Sequence, residues 1–271
     1  MRRKLIPVYV ILTITAVFMM APLILTLFTA FRSPRELVTA PWIPPWPPIL
    51  DNFKTAWIDG HFNIYFKNTV LISTIDALLM IPIASMAAYA FTFIDFPCRN
   101  ILLVIFLAGL MVPPTGIIIP LYVTIRDVGL INRHLGVILA DVSLALPIFV
   151  FLIRAFFLGI PRELEEAARV DGAGEFRTFW SIMLPLAKPA IVTTALLEFL
   201  WSWNDLLLRL VFLTKDPLRT LTVGLLFFQG SQTRNVAGST AAAVIMAGPI
   251  VILFLIFQRQ FIYGLTQGAI K

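Results

Sequence analysis

Long apolar runs separated by short polar connections dominate the chain. A helix rising about 1.5 Å per residue needs about 20 apolar residues to cross a hydrocarbon core. Six stretches qualify, approximately Leu5–Phe31, Asn68–Ile94, Ile101–Ile125, Leu135–Phe157, Pro189–Leu213 and Ala237–Phe261. They predict an all-α membrane protein with six transmembrane helices, forming a single domain over residues 1–271. Pro82 interrupts the second run, and Pro113, Pro114 and Pro120 the third. Proline is tolerated in such helices because neighbours, hydroxyls or water satisfy the freed carbonyls. Both packing kinks and a bend lining a pathway fit this pattern. The lack of an evident inverted repeat favours kinks.

Composition supports the membrane assignment. Hydrophobic residues make up 59% and charged residues 13% of the 271 positions, against roughly 45–50% and about 25% in soluble domains. The net charge of +6 would raise nucleic acid as a partner of a soluble domain. Here the basic residues sit mainly in short connections between apolar runs and read as topology signals, so no nucleic acid is expected. Cys98 is the single cysteine, which excludes an intrachain disulfide. The opening Met1-Arg2-Arg3-Lys4 precedes an apolar run too long for a secretory signal, whose core spans about 7–15 residues. The run therefore reads as an uncleaved first span.

The basic cluster before that span places the N-terminus in the cytoplasm, and six spans return the C-terminus there. The chain-wide tally is nearly even: eleven of the 21 Lys and Arg residues fall inside and ten outside. Orientation therefore rests on the first helix and on the connection over residues 158–188. Residues 32–67 read as an external loop stiffened by Trp42, Pro44, Pro45, Trp46, Pro47 and Pro48. Residues 214–236 are mixed and polar and read as a second external loop.

The connection over 158–188 carries the functional signal. Pro161 suits a first helical position, and Glu163, Glu165 and Glu166 favour the positive end of the helix dipole. Leu164, Ala167, Ala168 and Asp171 share one face at helical spacing. Gly172 and Gly174 interrupt the helix, and a second stretch, Glu175–Leu184, ends at Pro185. A charged helix–turn–helix between two spans is either a docking element or an amphipathic helix lying on lipid. Five acids against three arginines are unfavourable at an anionic leaflet, which favours docking.

Glu166-Ala167-Ala168, three residues, Gly172, nine residues, Ile182, one residue, then Leu184-Pro185 reproduces every spacing of a known pattern. It resembles the EAA loop of permease subunits of ATP-binding-cassette importers. Phe199-Leu200-Trp201-Ser202-Trp203-Asn204-Asp205 looks like the fifth-span motif of the carbohydrate-importing branch, and the tail Gln258–Lys271 is similar to MalG-like C-termini. Cys98 departs from the pattern, which usually has glycine after Pro97. The resemblance implies a type I importer permease fold in a bacterial or archaeal inner membrane. It implies a second, MalF-like permease chain, two ATPase subunits that bind ATP and Mg, and an external solute-binding protein. It places ATPase docking on Glu163, Glu166, Ala167, Ala168, Asp171, Gly172 and Ala173, with a further contact at Gln267, Gly268 and Lys271.

No lysine in the chain follows a glycine, so a phosphate-cradling Gly-Lys-[Ser/Thr] loop cannot form. Hydrolysis must then occur on another polypeptide, and this chain is expected to bind no cofactor and to be no enzyme. Ionisable groups at membrane depth are functional candidates by default. Asp76, Asp141, Glu198, Asp205 and Arg209 qualify, and Asp205 and Arg209 stand four residues apart, close enough to pair. Asp76, Glu198, Trp203, Asn204 and Asp205 are the candidate pathway residues, although Trp203 equally suits packing and the Asp205–Arg209 pair equally suits a structural tie. His61 and His134 are isolated, and no metal site is expected. An ion-gradient-driven transporter is the main alternative: it would use Asp76 and Glu198 but leaves the hairpin without a task. A membrane enzyme would need a nucleophile elbow or paired-histidine motif that the chain lacks.

Overall fold

The computed structural model describes residues 6–40, 42–231 and 235–267, the side chains of residues 6, 231 and 259–267 excepted. Helices α1 (Ile6–Ala30), α2 (Glu36–Thr39) and α3 (Asp51–Lys54) come first, followed by α4 (Phe62–Phe93), α5 (Arg99–Ala108) and α6 (Pro114–Asp127). Next are α7 (His134–Phe157), α8 (Glu163–Val170), α9 (Glu175–Thr178), α10 (Leu184–Leu186) and α11 (Lys188–Asn204). The chain closes with α12 (Leu207–Phe212), α13 (Leu221–Ser231) and α14 (Val236–Gln267). Four of these are long and apolar enough to cross a bilayer alone, and up to six spans result if each bent helix pair counts as one.

The sharpest difference from expectation lies in the third apolar run. It is a broken element, α5 with its short extension to Met111 and then α6, bent by 101°. Val112 and Pro113 are extended, at ψ 111° and 133°. Pro114 restricts Pro113 to that region, so the helix cannot pass through the pair. Pro82, Pro120, Pro147 and Pro249 each lie inside a helix that continues. The fifth run is also interrupted: α11 ends at Asn204, Asp205 is extended, and α12 is a separate short helix.

The residues form two compact units. The first comprises residues 1–66 and 221–251. Here the segment after α1 is a folded strap. Asn52 donates to the carbonyls of Ala30 and Arg32, both at 2.9 Å, and Arg32 donates to the Ile43 carbonyl at 2.6 Å. Residues 214–236, read from sequence as a polar loop, contain the apolar helix α13. Gly224 lets α13 approach Tyr65 closely, since a Cβ there would stand 2.2 Å from the ring. The faces of α1 are exposed, Phe18 at 80%.

The second unit comprises residues 67–220 and 252–271. Its α4 and α7 carry two separate apolar clusters. One gathers Ile72, Val137, Ile138, Leu208 and Phe212. The other gathers Met80, Tyr89, Phe149, Phe157, Phe179 and Met183. Asp76 lies between Ile72 and Met80 on α4, and Asp141 between Ala140 and Val142 on α7. A polar layer therefore separates the two cores.

Candidate functional site

The hairpin expected at 158–188 is present. α8 presents Glu163, Leu164, Glu166, Ala167, Arg169 and Val170 to its surroundings and turns Glu165 and Ala168 inward. Ala168, expected among the docking residues, is thus a packing residue, 4% exposed. Its small side chain lets α8 lie close to the body of the second unit. The helix closes in a Schellman turn: the Ala173 N–H donates to the Ala168 carbonyl at 2.9 Å and the Gly172 N–H to that of Arg169 at 3.0 Å. Gly172 takes φ +78°, where a Cβ is disfavoured by its own backbone although the space beside it is open. Gly172 therefore sets the turn, and Asp171 beside it stays exposed.

Sequence reasoning missed the apolar part of this surface. Val170 is 87% and Phe176 73% exposed, with Leu164 and Trp180 also uncovered. Apolar residues scattered through a strongly charged hairpin were the available signal. Arg169 pairs with Glu165 and, at 2.6 Å, with Glu175. The Glu165 carboxylate chiefly raises the affinity of Arg169 for its proton, and Glu175 adds to it.

The candidate pathway residues separate into two groups. Asp76 and Asp205 meet around Arg209, which is fully buried. Its Nη1 lies 2.7 Å from Asp205 Oδ2, and its Nη2 lies 2.8 Å from Asp141 Oδ2 and 3.7 Å from Asp76 Oδ2. Ser202 completes the node, accepting from Arg209 at 2.8 Å and donating to Asp76 at 2.5 Å. Four elements, α4, α7, α11 and α12, are thereby tied at one point. Asp205 also accepts from the Leu208 N–H at 3.2 Å, capping α12 just after the break. The expected Asp205–Arg209 pair is one edge of this larger node.

Glu198 is buried one turn before Ser202, and its Oε2 makes no hydrogen bond among the described residues. Trp203 is fully buried and stacked on Phe199, with centroids 5.5 Å apart, so its ring offers no free face to a solute in this conformation. Asn204 is exposed and donates to the Leu200 carbonyl at 2.7 Å. Gly268 and Lys271 lie outside the described residues; Gln267 ends α14, with its side chain outside them. No group of three or more His, Cys, Asp or Glu among the described residues could hold a metal ion.

Apolar spans, a broken third element and a charged hairpin between two span-forming elements define a polytopic permease component. The chain belongs to the family described as binding-protein-dependent transport system inner membrane component, matched over residues 80–266. It is 36% identical to the arabinooligosaccharides transport system permease protein AraQ of Halalkalibacterium halodurans, covering 100% of both chains. It is 34% identical to the trehalose/maltose transport system permease protein MalG of Thermococcus litoralis, covering 94% of this chain and 93% of that one. Its fold matches a chain of a bacterial ABC transporter involved in the import of the acidic polysaccharide alginate, with TM-score 0.81 and 24% identity over 96% of this chain and 97% of that one. The protein is an importer permease of the ATP-binding-cassette class.

Proposed function

We propose that this chain forms half of a translocation pathway for a sugar or related solute, driven by ATP hydrolysed on partner subunits. The single observation that carries the reading is the hairpin surface. Glu163, Glu166 and Asp171 form a charged rim beside Ala167, Val170 and Phe176, and Gly172 fixes the turn. Charge around an apolar centre suits a soluble protein partner better than an anionic lipid surface. The partner is an ATP-binding-cassette subunit holding ATP and Mg. Two such subunits close together, carry the two docking helices with them, and switch the cavity between its inward-facing and outward-facing forms. A second, homologous permease chain completes the pathway, and an external solute-binding protein delivers the cargo. The whole chain acts as one permease domain, with both termini in the cytoplasm.

The sugar class is supported by the relatives named for transport of arabinooligosaccharides and of trehalose/maltose, which match nearly the whole chain. Of the two acids that an ion-driven carrier would use, Asp76 belongs to the Arg209 node with Asp141 and Asp205, which leaves Glu198 as the one outside it. The test is ATPase stimulation and uptake in Ala167→Arg and Gly172→Trp. Both variants lose solute-stimulated hydrolysis and uptake if α8 docks as proposed. Full coupling in both would overturn the reading.

A further inference from the structure

A polar chain runs from the half-exposed Arg169 and Glu175 of the hairpin into a membrane span. Arg169 pairs with Glu165 on α8 and, across the Gly172 turn, its Nη2 lies 2.6 Å from Glu175 Oε1. The other oxygen of that carboxylate, Glu175 Oε2, accepts from Tyr89 Oη at 2.9 Å. Tyr89 belongs to α4 and is 4% exposed. Its ring lies 5.3 Å from both Phe93 and Phe179 and 6.3 Å from Phe157, so it is held by α4, α7 and the turn after α9. One carboxylate thus joins the docking helix to a span through its two oxygens. A second tie runs the same way: Arg162 Nη2 donates to the Thr92 carbonyl at 3.2 Å, one turn further along α4.

We infer that Glu175 and Tyr89 are positioning residues that make α8 and α4 move as one body when the ATPases close. The inference rests on the docking reading above and adds the route by which that motion enters the spans. α8 joins α7 and α11 through the chain itself, but α4 is far away in sequence. Its coupling to α8 must therefore run through side chains. Apolar contact around Phe179 allows sliding, whereas charge-assisted hydrogen bonds fix direction and distance. The relay leaves Glu163, Glu166, Ala167 and Asp171 free for a partner.

The test uses the intact transporter purified through a tag on this chain. Spin labels are placed at Arg177→Cys and Lys67→Cys in a Cys98→Ser background, all three at exposed positions. The label separation is measured without nucleotide and after trapping with ATP, magnesium and vanadate. With Tyr89 present, the separation stays the same in both states. In Tyr89→Phe, which keeps the ring and deletes the hydroxyl, the separation shifts on trapping and its distribution broadens. Glu175→Gln behaves alike, and the double variant shifts no further than the larger single. A merely structural role would lower yield without producing a nucleotide-dependent shift. An unchanged separation in Tyr89→Phe with the ATPase still bound overturns the relay while leaving docking intact. So does a shift in the unsubstituted chain. Failure of any ATPase to co-purify with the unsubstituted chain overturns the docking reading and the relay with it.

Discussion

Replacing Arg209 by methionine strips the guanidinium from the node while keeping a long apolar stem. The structure sets the scale. Arg209 and Asp76 are fully buried, Asp141 is 9% exposed, and the ion-pair distances are 2.7 and 2.8 Å. Removing one partner of a buried pair costs about 3–5 kcal/mol, because the remaining charges are left without compensation. At about 1.4 kcal/mol per decade, that corresponds to roughly two to three and a half decades in the folding equilibrium. Arg126–Asp127 is the internal control. That pair closes to 2.8 Å with both side chains more than half exposed, so Arg126→Met changes stability by at most about 1 kcal/mol. Adding Asp141→Asn to Arg209→Met removes one stranded carboxylate and recovers part of the loss. The assay is equilibrium unfolding of the purified chain in mixed micelles, followed by tryptophan fluorescence. Arg209→Met equal to the parent within about 0.5 kcal/mol would refute the reasoning, as would a double variant less stable than the single.

Three smaller predictions follow from individual residues. Gly172→Val at φ +78° destabilises the α8 turn by about 1–2 kcal/mol, and Gly172→Asn by less, read as hydrogen-exchange protection over α8. Gly224→Ala places a methyl against the Tyr65 ring and costs about 1–3 kcal/mol, whereas Gly230→Ala, with open space beside it, is near neutral in thermal unfolding. Hydrogen bonds from the Ser33 N–H and hydroxyl hold the Glu36 carboxyl below its ordinary value of 4.5. The stability this contributes is present above the unfolded value and is lost as pH falls through the lower folded one. Amide protection across residues 36–39 therefore drops on acidification, and Ser33→Ala, which deletes the hydroxyl but keeps the backbone N–H, weakens that dependence without abolishing it.

The long helices were legible because hydropathy records their length. The expected runs Leu5–Phe31, Leu135–Phe157 and Ala237–Phe261 correspond to α1, α7 and α14. Hydropathy does not record direction. Residues 101–125 are apolar on both sides of Pro113-Pro114, so a 101° break and a straight rod score alike. α13 was hidden because its apolar turns share a window with the polar residues around Asp216 and Gln232. In the hairpin, spacing located the helix and its stop, but on so short a helix 3.6-residue periodicity could not decide whether Ala167 or Ala168 faces inward. The structure turns Ala168 in. Within the node, only the Asp205–Arg209 edge was readable, as neighbours one turn apart. Asp76 and Asp141 stand 133 and 68 positions before Arg209, and only the packing of α4 and α7 brings them to it.

The most direct measurement is photo-crosslinking from the docking surface in native membranes. A photoreactive amino acid is introduced at Val170 or Ala167, which face outward, and at Glu165, which faces the body of the chain. Irradiation from Val170 and Ala167 is predicted to yield an adduct with a nucleotide-binding subunit, while Glu165 yields only intrachain products. Adducts with lipid alone from the outward positions, or with a protein on the opposite side of the membrane, would contradict the account.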